Sequence, residues 1–209
     1  MTPLEELSER YAEHNRLERG AGFVFAGPQR EGLFRRYVDG PGRRVLDLGC
    51  RDGALTRAYL RGNEVVGLDA DREALAAAAE LGIETHWADV DEALPFAAES
   101  FDVVVAGELL EHIRDPGGLL AEARRVLRPT GTLVGSVPNA FRLLNRLRFL
   151  AGLPPERDPT HLHMFTPADV RSLLAGWEDV RVHLIASKFL RLHPRLFAND
   201  VVFAARRPG

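Results

Sequence analysis

The 209-residue sequence predicts an α/β protein built on a doubly wound, mostly parallel sheet. Two observations lead to this fold. Apolar, strand-like runs alternate with segments of helical spacing along most of the chain, and the first buried run, residues 45–48, passes through a glycine turn directly into a helix start. Strands that alternate with helices lie parallel to one another, and the helices cover both faces of their sheet.

The elements follow in chain order. Helical spacing at residues 4–19 and 29–38 predicts an N-terminal helical cover over residues 1–40. Strands are predicted at residues 43–48, 64–69, 83–87, 101–106, 132–137, 180–187 and 200–205, with no helical pattern between the last two. Helices are predicted at residues 54–61, 72–81 and 116–127, and a last one, capped by Thr166, extends to Leu174. Residues 139–166 form an insertion, and we expect a single domain over residues 1–209.

The turn after the first strand is typical of a nucleotide-like ligand site. Gly49 and Gly53 let the backbone turn sharply, and Asp69 closes the second strand about 20 residues later, where a ribose-binding acid is expected. The turn lacks the G-x-G-x-x-G set that cradles a pyrophosphate, and Asp47 would repel phosphate but attract a cationic centre. S-adenosylmethionine is a ligand with such a centre.

Five motifs between Arg43 and Asn139 resemble, in order and spacing, those of the class I S-adenosylmethionine-dependent methyltransferases. They read VLDLGCRDG, GLDAD, ADVDEALPF, FDVVVAGELLEHI and VLRPTGTLVGSVPN. The resemblance implies a Rossmann-like methyltransferase fold with seven strands, of which the last is antiparallel. It also implies that S-adenosyl-L-methionine is the cofactor and that residues 139–166 form a substrate cap.

The resemblance assigns cofactor roles to individual residues. Asp69 would bind the ribose hydroxyls, Asp89 the adenine amino group and Val90 the ring through its backbone, while Arg30 stands where ubiquinone-pathway O-methyltransferases place a cofactor-contacting arginine. The simpler interpretations are that Asp69 lies in a surface turn, that Asp89 caps a turn and that Arg30 is a surface residue. The full predicted set is Arg30, Asp47, Gly49, Cys50, Arg51, Gly53, Asp69, Ala70, Asp89, Val90 and Gly107.

Two members of that set carry separate expectations. The family commonly has glycine where this chain has Arg51, and a side chain there could crowd the methionine end of the cofactor, although tight cofactor binding is still the expectation. Cys50, the single cysteine, excludes an intramolecular disulfide, and we interpret it as a small buried residue rather than a catalytic thiol.

Glu108, Glu111 and His112 are the predicted catalytic cluster, because residues three and four apart on a helical turn share one face. His161 and His163 are candidates to complete it, although an extended backbone would point them in opposite directions, so that only one can serve the site. The set resembles the metal-binding Glu-x-x-Glu-His and distal histidine of small-RNA 2′-O-methyltransferases and ubiquinone-pathway O-methyltransferases. Three interpretations stay open: a divalent metal ion held by Glu108, Glu111, His112 and His161, a metal-free catalytic histidine, and a structural role.

Residues 141–150 read FRLLNRLRFL and predict an amphipathic helix whose arginines oppose its apolar side chains. Three interpretations compete: a lid whose apolar face covers the acceptor, a helix that contacts a membrane surface, and an ordinary packed helix.

Composition limits the partners. The formal charge is −3, and the basic residues near the C-terminus have no interleaved aromatic residues, so nucleic-acid binding is disfavoured. There is no apolar run long enough to span a membrane and no signal-peptide core, so we expect a cytoplasmic protein for which peripheral membrane contact stays open.

The sequence therefore predicts an S-adenosylmethionine-dependent methyltransferase that acts on a hydroxyl, or less favourably an amine, of a small molecule. A metal-dependent RNA ribose 2′-O-methyltransferase is one alternative. A cofactor-binding partner subunit that has lost its chemistry is the other. The oligomeric state is left open.

Overall fold

The computed structural model describes residues 2–19, 22, 24, 26–38, 40–155, 158, 160–185 and 192–209. Of residues 18, 19 and 195 it describes the backbone alone.

One seven-stranded sheet organises the described chain. Its strands are β1 (Arg44–Leu48), β2 (Glu64–Asp69), β3 (Glu84–Trp87), β4 (Phe101–Gly107), β5 (Leu127–Pro138), β6 (Glu178–Ile185) and β7 (Asp200–Arg206). Their spatial order is β3-β2-β1-β4-β5-β7-β6. The first five strands in this spatial order, β3, β2, β1, β4 and β5, pair in parallel, whereas β7 runs antiparallel to both β5 and β6. This confirms the predicted fold class, including the antiparallel last strand.

Eight α-helices accompany the sheet in the described residues. They are α1 (Pro3–His14), α2 (Gly27–Val38), α3 (Arg57–Leu60), α4 (Arg72–Glu80), α5 (Pro116–Val126), α6 (Leu143–Leu150), α7 (Pro167–Leu173) and α8 (Pro194–Phe197). A π-helical turn, Asn15–Arg19, continues α1, and a 3₁₀ turn, Leu110–His112, follows β4. None of the described helices combines the length and the hydropathy needed to cross a bilayer.

The central strands are buried on both faces, as a parallel sheet covered by helices requires. Along β1, Leu46 and Leu48 belong to one core cluster, and Val45, which points the other way, belongs to the second. Each cluster contains a fully buried aromatic residue, Phe203 in the first and Phe34 of α2 in the second. Helix α2 thus packs on the sheet as part of the core, and it can carry a side chain rigidly to the sheet edge.

Several predicted bounds differ from the observed ones. Residues 54–56 form turns, so the helix predicted at residues 54–61 is reduced to α3. Strand β5 begins at Leu127 rather than Thr132, because Pro129 disfavours a helical conformation at Arg128 and ends α5 early. Residues 4–19 are divided between α1 and the π-helical turn, and α6 begins at Leu143.

The end of the chain brings two further differences. The expectation of no helix between the last two strands is wrong, since α8 begins there with Pro194 in its first turn. Strand β6 begins at Glu178 rather than Val180, and the end predicted for it at residues 186–187 falls outside the described residues.

Gly135 lies in the most crowded part of β5, so we expect Gly135→Ala to lower the free energy of unfolding by about 2 kcal/mol or more. A Cβ at this position would lie 2.6 Å from the carbonyl oxygen of Ala106 and would overlap the ring of Phe203. Gly32→Ala in α2 is the control, because a Cβ there meets nothing within 4 Å and alanine favours the helix by about 0.5–1 kcal/mol. Urea denaturation of both variants tests this, and equal stability would contradict the packing described for the sheet.

Candidate cofactor and acceptor site

A cleft of about 1160 Å³ opens at the carboxyl ends of β1, β2 and β4. This is the edge at which open α/β sheets bind their ligands. The cleft is lined by every predicted cofactor residue except Gly53, namely Arg30, Asp47, Gly49, Cys50, Arg51, Asp69, Ala70, Asp89, Val90 and Gly107. It is also lined by the predicted catalytic residues Glu108, His112, His161 and His163.

The turn after β1 requires its two glycines for different reasons. Both have positive φ, 68° at Gly49 and 73° at Gly53. A Cβ at Gly49 would lie 3.0 Å from Leu109 beside the cleft. A Cβ at Gly53 would instead lie 2.8 Å from the side chains of Leu81 and Ile83. Gly53 therefore allows the turn to pack closely against the connection between α4 and β3, and it is not among the residues that line the cleft.

Asp69 holds this turn from the neighbouring strand. Its Oδ2 accepts the backbone N–H of Arg51 at 2.8 Å, and its Oδ1 accepts that of Asp71, also at 2.8 Å. Burial raises the pKa of Asp69 to about 6, although hydrogen bonds from the backbone lower it. Each carboxylate oxygen can accept a further hydrogen bond, so Asp69 can hold the turn and still bind two ligand hydroxyls.

Asp47 lies beneath the same turn and is 3% exposed. The hydroxyls of Thr56 and Tyr59 donate to its Oδ2 at 2.6 and 2.7 Å. Burial raises its pKa to about 6 in spite of these two bonds. Since both bonds use one carboxylate oxygen, the other can still face a cationic ligand in the cleft.

The side chain of Arg51 pairs with that of the next residue, Asp52. Its Nε lies 3.2 Å from Oδ1 of Asp52, whose Oδ2 accepts the backbone N–H of Gly22 at 2.7 Å. Arg51 has a φ of 50°, a region that favours glycine. The neighbouring Cys50 is buried, and burial raises the pKa of its thiol well above the ordinary value. Cys50 is therefore a neutral thiol, which agrees with its interpretation as a small buried residue.

Asp89 caps a turn as well as lining the cleft. Its Oδ1 accepts the backbone N–H of Asp91 at 2.9 Å. Arg114 bridges the two side chains from outside, with its Nε 3.0 Å from Asp91 and its Nη2 3.5 Å from Asp89. The turn-cap interpretation thus holds, and it is compatible with an adenine contact.

Arg30 is buried and bound by two carboxylates. Its Nη2 lies 2.7 Å from Oδ2 of Asp200 and 3.2 Å from Oε1 of Glu108. Burial raises the pKa of Asp200 to about 7, Glu108 adds to the rise, and Arg30 opposes it. The surface interpretation of Arg30 is therefore wrong: the guanidinium is 3% exposed and lies at the bottom of the cleft.

Glu108 is separated from the other members of the predicted cluster. Its φ is 52°, and this left-handed conformation directs its carboxylate to Arg30. Glu111, His112 and His161 form the cluster instead, with candidate ligand atoms within 4.8 Å of one another. Oε1 of Glu111 lies 3.9 Å from Nε2 of His112 and 4.0 Å from Nε2 of His161.

Residues 139–166, called the cap segment below, contact this cluster through their backbone. The N–H groups of Leu162 and His163 donate to the carbonyl oxygen of Glu111 at 2.7 and 3.1 Å. The ring of His161 meets that of His112 edge to face, with 4.7 Å between their centroids. Nε2 of His163 lies 2.9 Å from the carbonyl oxygen of Ile113, and His163 lines the cleft as well. Of the two histidines, His161 is the one that joins Glu111 and His112.

The N-terminal helix contributes residues that the sequence did not indicate. Tyr11 and His14 of α1 line the cleft, and Nε2 of His14 lies 3.0 Å from Oδ2 of Asp158 in the cap segment. Asp200 and Thr160 were also missed. An Asp-x-Thr sequence before a loop histidine is typical of a side-chain-capped turn, and this was the available signal for Asp158 and Thr160.

Comparison with known proteins assigns the family. A family profile described as a methyltransferase domain matches residues 46–135. A ubiquinone biosynthesis O-methyltransferase of Hahella chejuensis is 39% identical over 47% of this chain and 44% of its own length. A protein of the same name from a Caulobacter species is 33% identical over 73% of this chain and 68% of its own. The chain belongs to the class I S-adenosylmethionine-dependent methyltransferases.

A solved structure supports the fold of this methyltransferase. An S-adenosylmethionine-dependent methyltransferase from Archaeoglobus fulgidus superposes with a TM-score of 0.69 and 20% identity, covering 94% of this chain and 99% of that one. At this identity the likeness concerns the fold. The chain spans less than half the length of the Hahella relative.

Helix α6 of this methyltransferase borders the cleft with polar residues. Arg142 and Asn145 line the cleft, while Leu144, Leu147 and Leu150 do not and are 51%, 53% and 82% exposed. The apolar face therefore does not cover the cleft, and α6 is not a helix packed through that face. The membrane-surface interpretation stays a prediction.

We expect Asp47→Asn to stabilise the methyltransferase more at pH 8 than at pH 5. The folded-state pKa of Asp47, about 6, lies above the unfolded value of about 4, so ionisation lowers the free energy of unfolding as the pH rises through this window. Asparagine cannot ionise, and its carbonyl oxygen can accept both hydroxyls. The gain should be larger at pH 8 by about 1 kcal/mol, measured by chemical denaturation.

Glu9→Gln, which removes an exposed carboxylate from α1, is the control for this experiment. An equal gain at the two pH values, or a loss at pH 8, would show that Asp47 is not held as a destabilised carboxylate.

Proposed function

We propose that this protein transfers a methyl group from S-adenosylmethionine to a hydroxyl of a small molecule. The observation that carries the proposal is the cluster of Glu111, His112 and His161, whose two histidines line the same cleft as the residues that suit the cofactor. A carboxylate and two imidazoles can take the proton that a hydroxyl loses when it is methylated.

The residues of the cleft fit the cofactor. Asp47 and Asp69 are carboxylates whose pKa values burial raises to about 6, and a cationic ligand or hydroxyl donors would stabilise their ionised forms. Gly49 has no Cβ, and a Cβ at this position would lie 3.0 Å from Leu109 beside the cleft. Asp69 would hold the ribose, Asp89 and Val90 the adenine, and Asp47 the cationic methionine end. When bound, S-adenosylmethionine supplies an electrophilic methyl group.

The protein contributes alignment, exclusion of water and removal of a proton. Tyr11 and His14 of α1 line the cleft together with His161 and His163, so an acceptor would enter a confined space. Nε2 of His112 would take the proton of the acceptor hydroxyl, with Glu111 3.9 Å away to stabilise the imidazolium. Holding the acceptor in line with the methyl donor supplies a large part of the acceleration.

The name shared by the two relatives, ubiquinone biosynthesis O-methyltransferase, favours a ring hydroxyl of a quinone precursor or similar phenol as the acceptor. The test is methyl transfer from methyl-labelled S-adenosylmethionine to a panel of phenols, catechols, quinols, sugars and amines. We expect labelled ether products from ring hydroxyls. Labelled amines alone would contradict the hydroxyl specificity.

We expect His112→Gln to lower kcat by roughly 10²- to 10⁴-fold, the usual contribution of a positioned general base. The dissociation constant for S-adenosylhomocysteine should change little, because His112 is not among the residues assigned to the cofactor. His193→Gln is the control, since this exposed histidine precedes α8. Steady-state kinetics and calorimetry measure the two effects, and full activity of the His112 variant would remove this residue from the chemistry.

A divalent metal ion is the second proposal for the same cluster. Glu111, His112 and His161 fit it as a carboxylate and two imidazoles with ligand atoms within 4.8 Å of one another. Glu108 would join them only if it left Arg30, which lies 3.2 Å away. When bound, a divalent ion would hold an acceptor hydroxyl and lower its pKa.

If this cluster holds a metal, a chelator should abolish methyl transfer, and added Zn²⁺, Mn²⁺ or Mg²⁺ should restore it. Glu111→Gln should lower the metal content measured by mass spectrometry, while Glu108→Gln should leave most of it because Glu108 faces Arg30. Unchanged activity after chelation would leave His112 as a metal-free base. Metal-dependent methylation of the terminal ribose of a short RNA, with no methylation of small molecules, would favour the RNA alternative.

The partner-subunit alternative depends on Arg51. Its side chain is paired with Asp52, and both residues line the cleft. Tight cofactor binding without methyl transfer to any acceptor would support this alternative.

A further inference from the structure

A series of polar contacts begins at Nδ1 of His112, whereas Glu111 lies nearer to Nε2 of the same ring. Nδ1 of His112 lies 3.0 Å from Oγ1 of Thr160 and 3.3 Å from the carbonyl oxygen of the same residue. Oγ1 and the backbone N–H of Thr160 both approach Oδ1 of Asp158, at 2.6 and 2.8 Å. Oδ2 of Asp158 lies 3.0 Å from Nε2 of His14. These contacts thus bring together three parts of the protein: the 3₁₀ turn after β4, the cap segment and α1.

The chemistry of the groups fixes the direction of each hydrogen bond. Oδ1 of Asp158 accepts the backbone N–H of Thr160, and the hydroxyl of Thr160 donates to the same oxygen. The oxygen of that hydroxyl is then available to accept from His112. The carbonyl oxygen of Thr160 can only accept. Both contacts therefore require a proton on Nδ1 of His112, and a neutral ring then carries its lone pair on Nε2.

Nε2 is the atom that the proposed function uses. It lies 3.9 Å from Oε1 of Glu111, and the ring of His112 lines the cleft. A neutral histidine in water populates the opposite tautomer, with the proton on Nε2, more than this one. That tautomer could neither accept a proton at Nε2 nor bind a metal there, so the protein gains by excluding it.

We infer that Thr160 and Asp158 are positioning residues that hold His112 in the Nδ1–H tautomer and so keep Nε2 available to the acceptor or to a metal ion. The catalytic consequence rests on the proposed function, whereas the tautomer itself does not. Nε2 of His14 lies 3.0 Å from the other oxygen of Asp158, so α1 borders this series of contacts as well as the cleft.

The test uses the full chain labelled with ¹⁵N-histidine and treated with a chelator. Long-range ¹H–¹⁵N correlation distinguishes the two tautomers, and His112→Gln identifies the signals of His112. We expect wild type to show a protonated Nδ1 and an unprotonated Nε2. Thr160→Ser keeps a hydroxyl and should keep this pattern. Thr160→Val has nearly the same shape but cannot accept, so the fraction of Nε2–H should rise several-fold.

Kinetics give a second measurement. Thr160→Val should lower kcat for methyl transfer by about tenfold or more while KM for S-adenosylmethionine stays within about twofold, and Thr160→Ser should recover most of kcat. The signals of His183, which contacts Tyr37 outside the cleft, report whether the fold is intact.

Two results would overturn the inference: a protonated Nε2 in neutral wild-type His112, or the same tautomer ratio in Thr160→Val as in wild type. A wild-type protein that shows the expected tautomer but transfers no methyl group would instead count against the proposed function and leave the tautomer assignment standing.

Discussion

The hydrogen bond from the backbone N–H of Arg51 to Asp69 is the interaction on which the site depends. It fastens the turn after β1 to the end of β2, and the N–H of Gly49 donates to the carbonyl of Leu68 beside it. Without these bonds the turn would have no fixed position relative to the neighbouring strand. The crevice for the cofactor exists because two strand ends are joined at this point.

This arrangement has an electrostatic cost that a ligand can offset. Asp47 and Asp69 are both buried enough to raise their pKa values to about 6, so their ionised forms are destabilised at neutral pH. A cation with hydroxyl donors relieves this cost on binding. The ligand-free protein is thus prepared for a ligand of that chemistry, and a pyrophosphate would meet two carboxylates instead.

The sequence predicted those features of the molecule that depend on local pattern. Strand periodicity and the glycine turn gave the fold and the residues that line the cleft, because spacing along the chain determines which residues reach the carboxyl edge of a parallel sheet. It did not predict that Arg30 binds Asp200, 170 residues away. Nor did it predict the left-handed conformation of Glu108, which separates this residue from Glu111 despite their helical spacing.

The same limit explains the contacts around His112. His14 comes close to Asp158 because α1 lies beside the cap segment, and no spacing along the sequence encodes that contact. For α6, amphipathic spacing predicted the helix but not the face that it turns toward the cleft. That orientation depends on two hydrogen bonds, from Arg142 to the side chain of Asn199 and from Asn145 to the carbonyl oxygen of Ala140.

Equilibrium dialysis with labelled S-adenosylmethionine tests the central claim most directly. The purified protein should retain one equivalent, S-adenosylhomocysteine should displace it, and NAD should not. Asp69→Asn, which keeps an acceptor oxygen for the turn but loses the charge, should retain far less. No retention by wild type, or displacement by NAD, would contradict the assignment of this cleft.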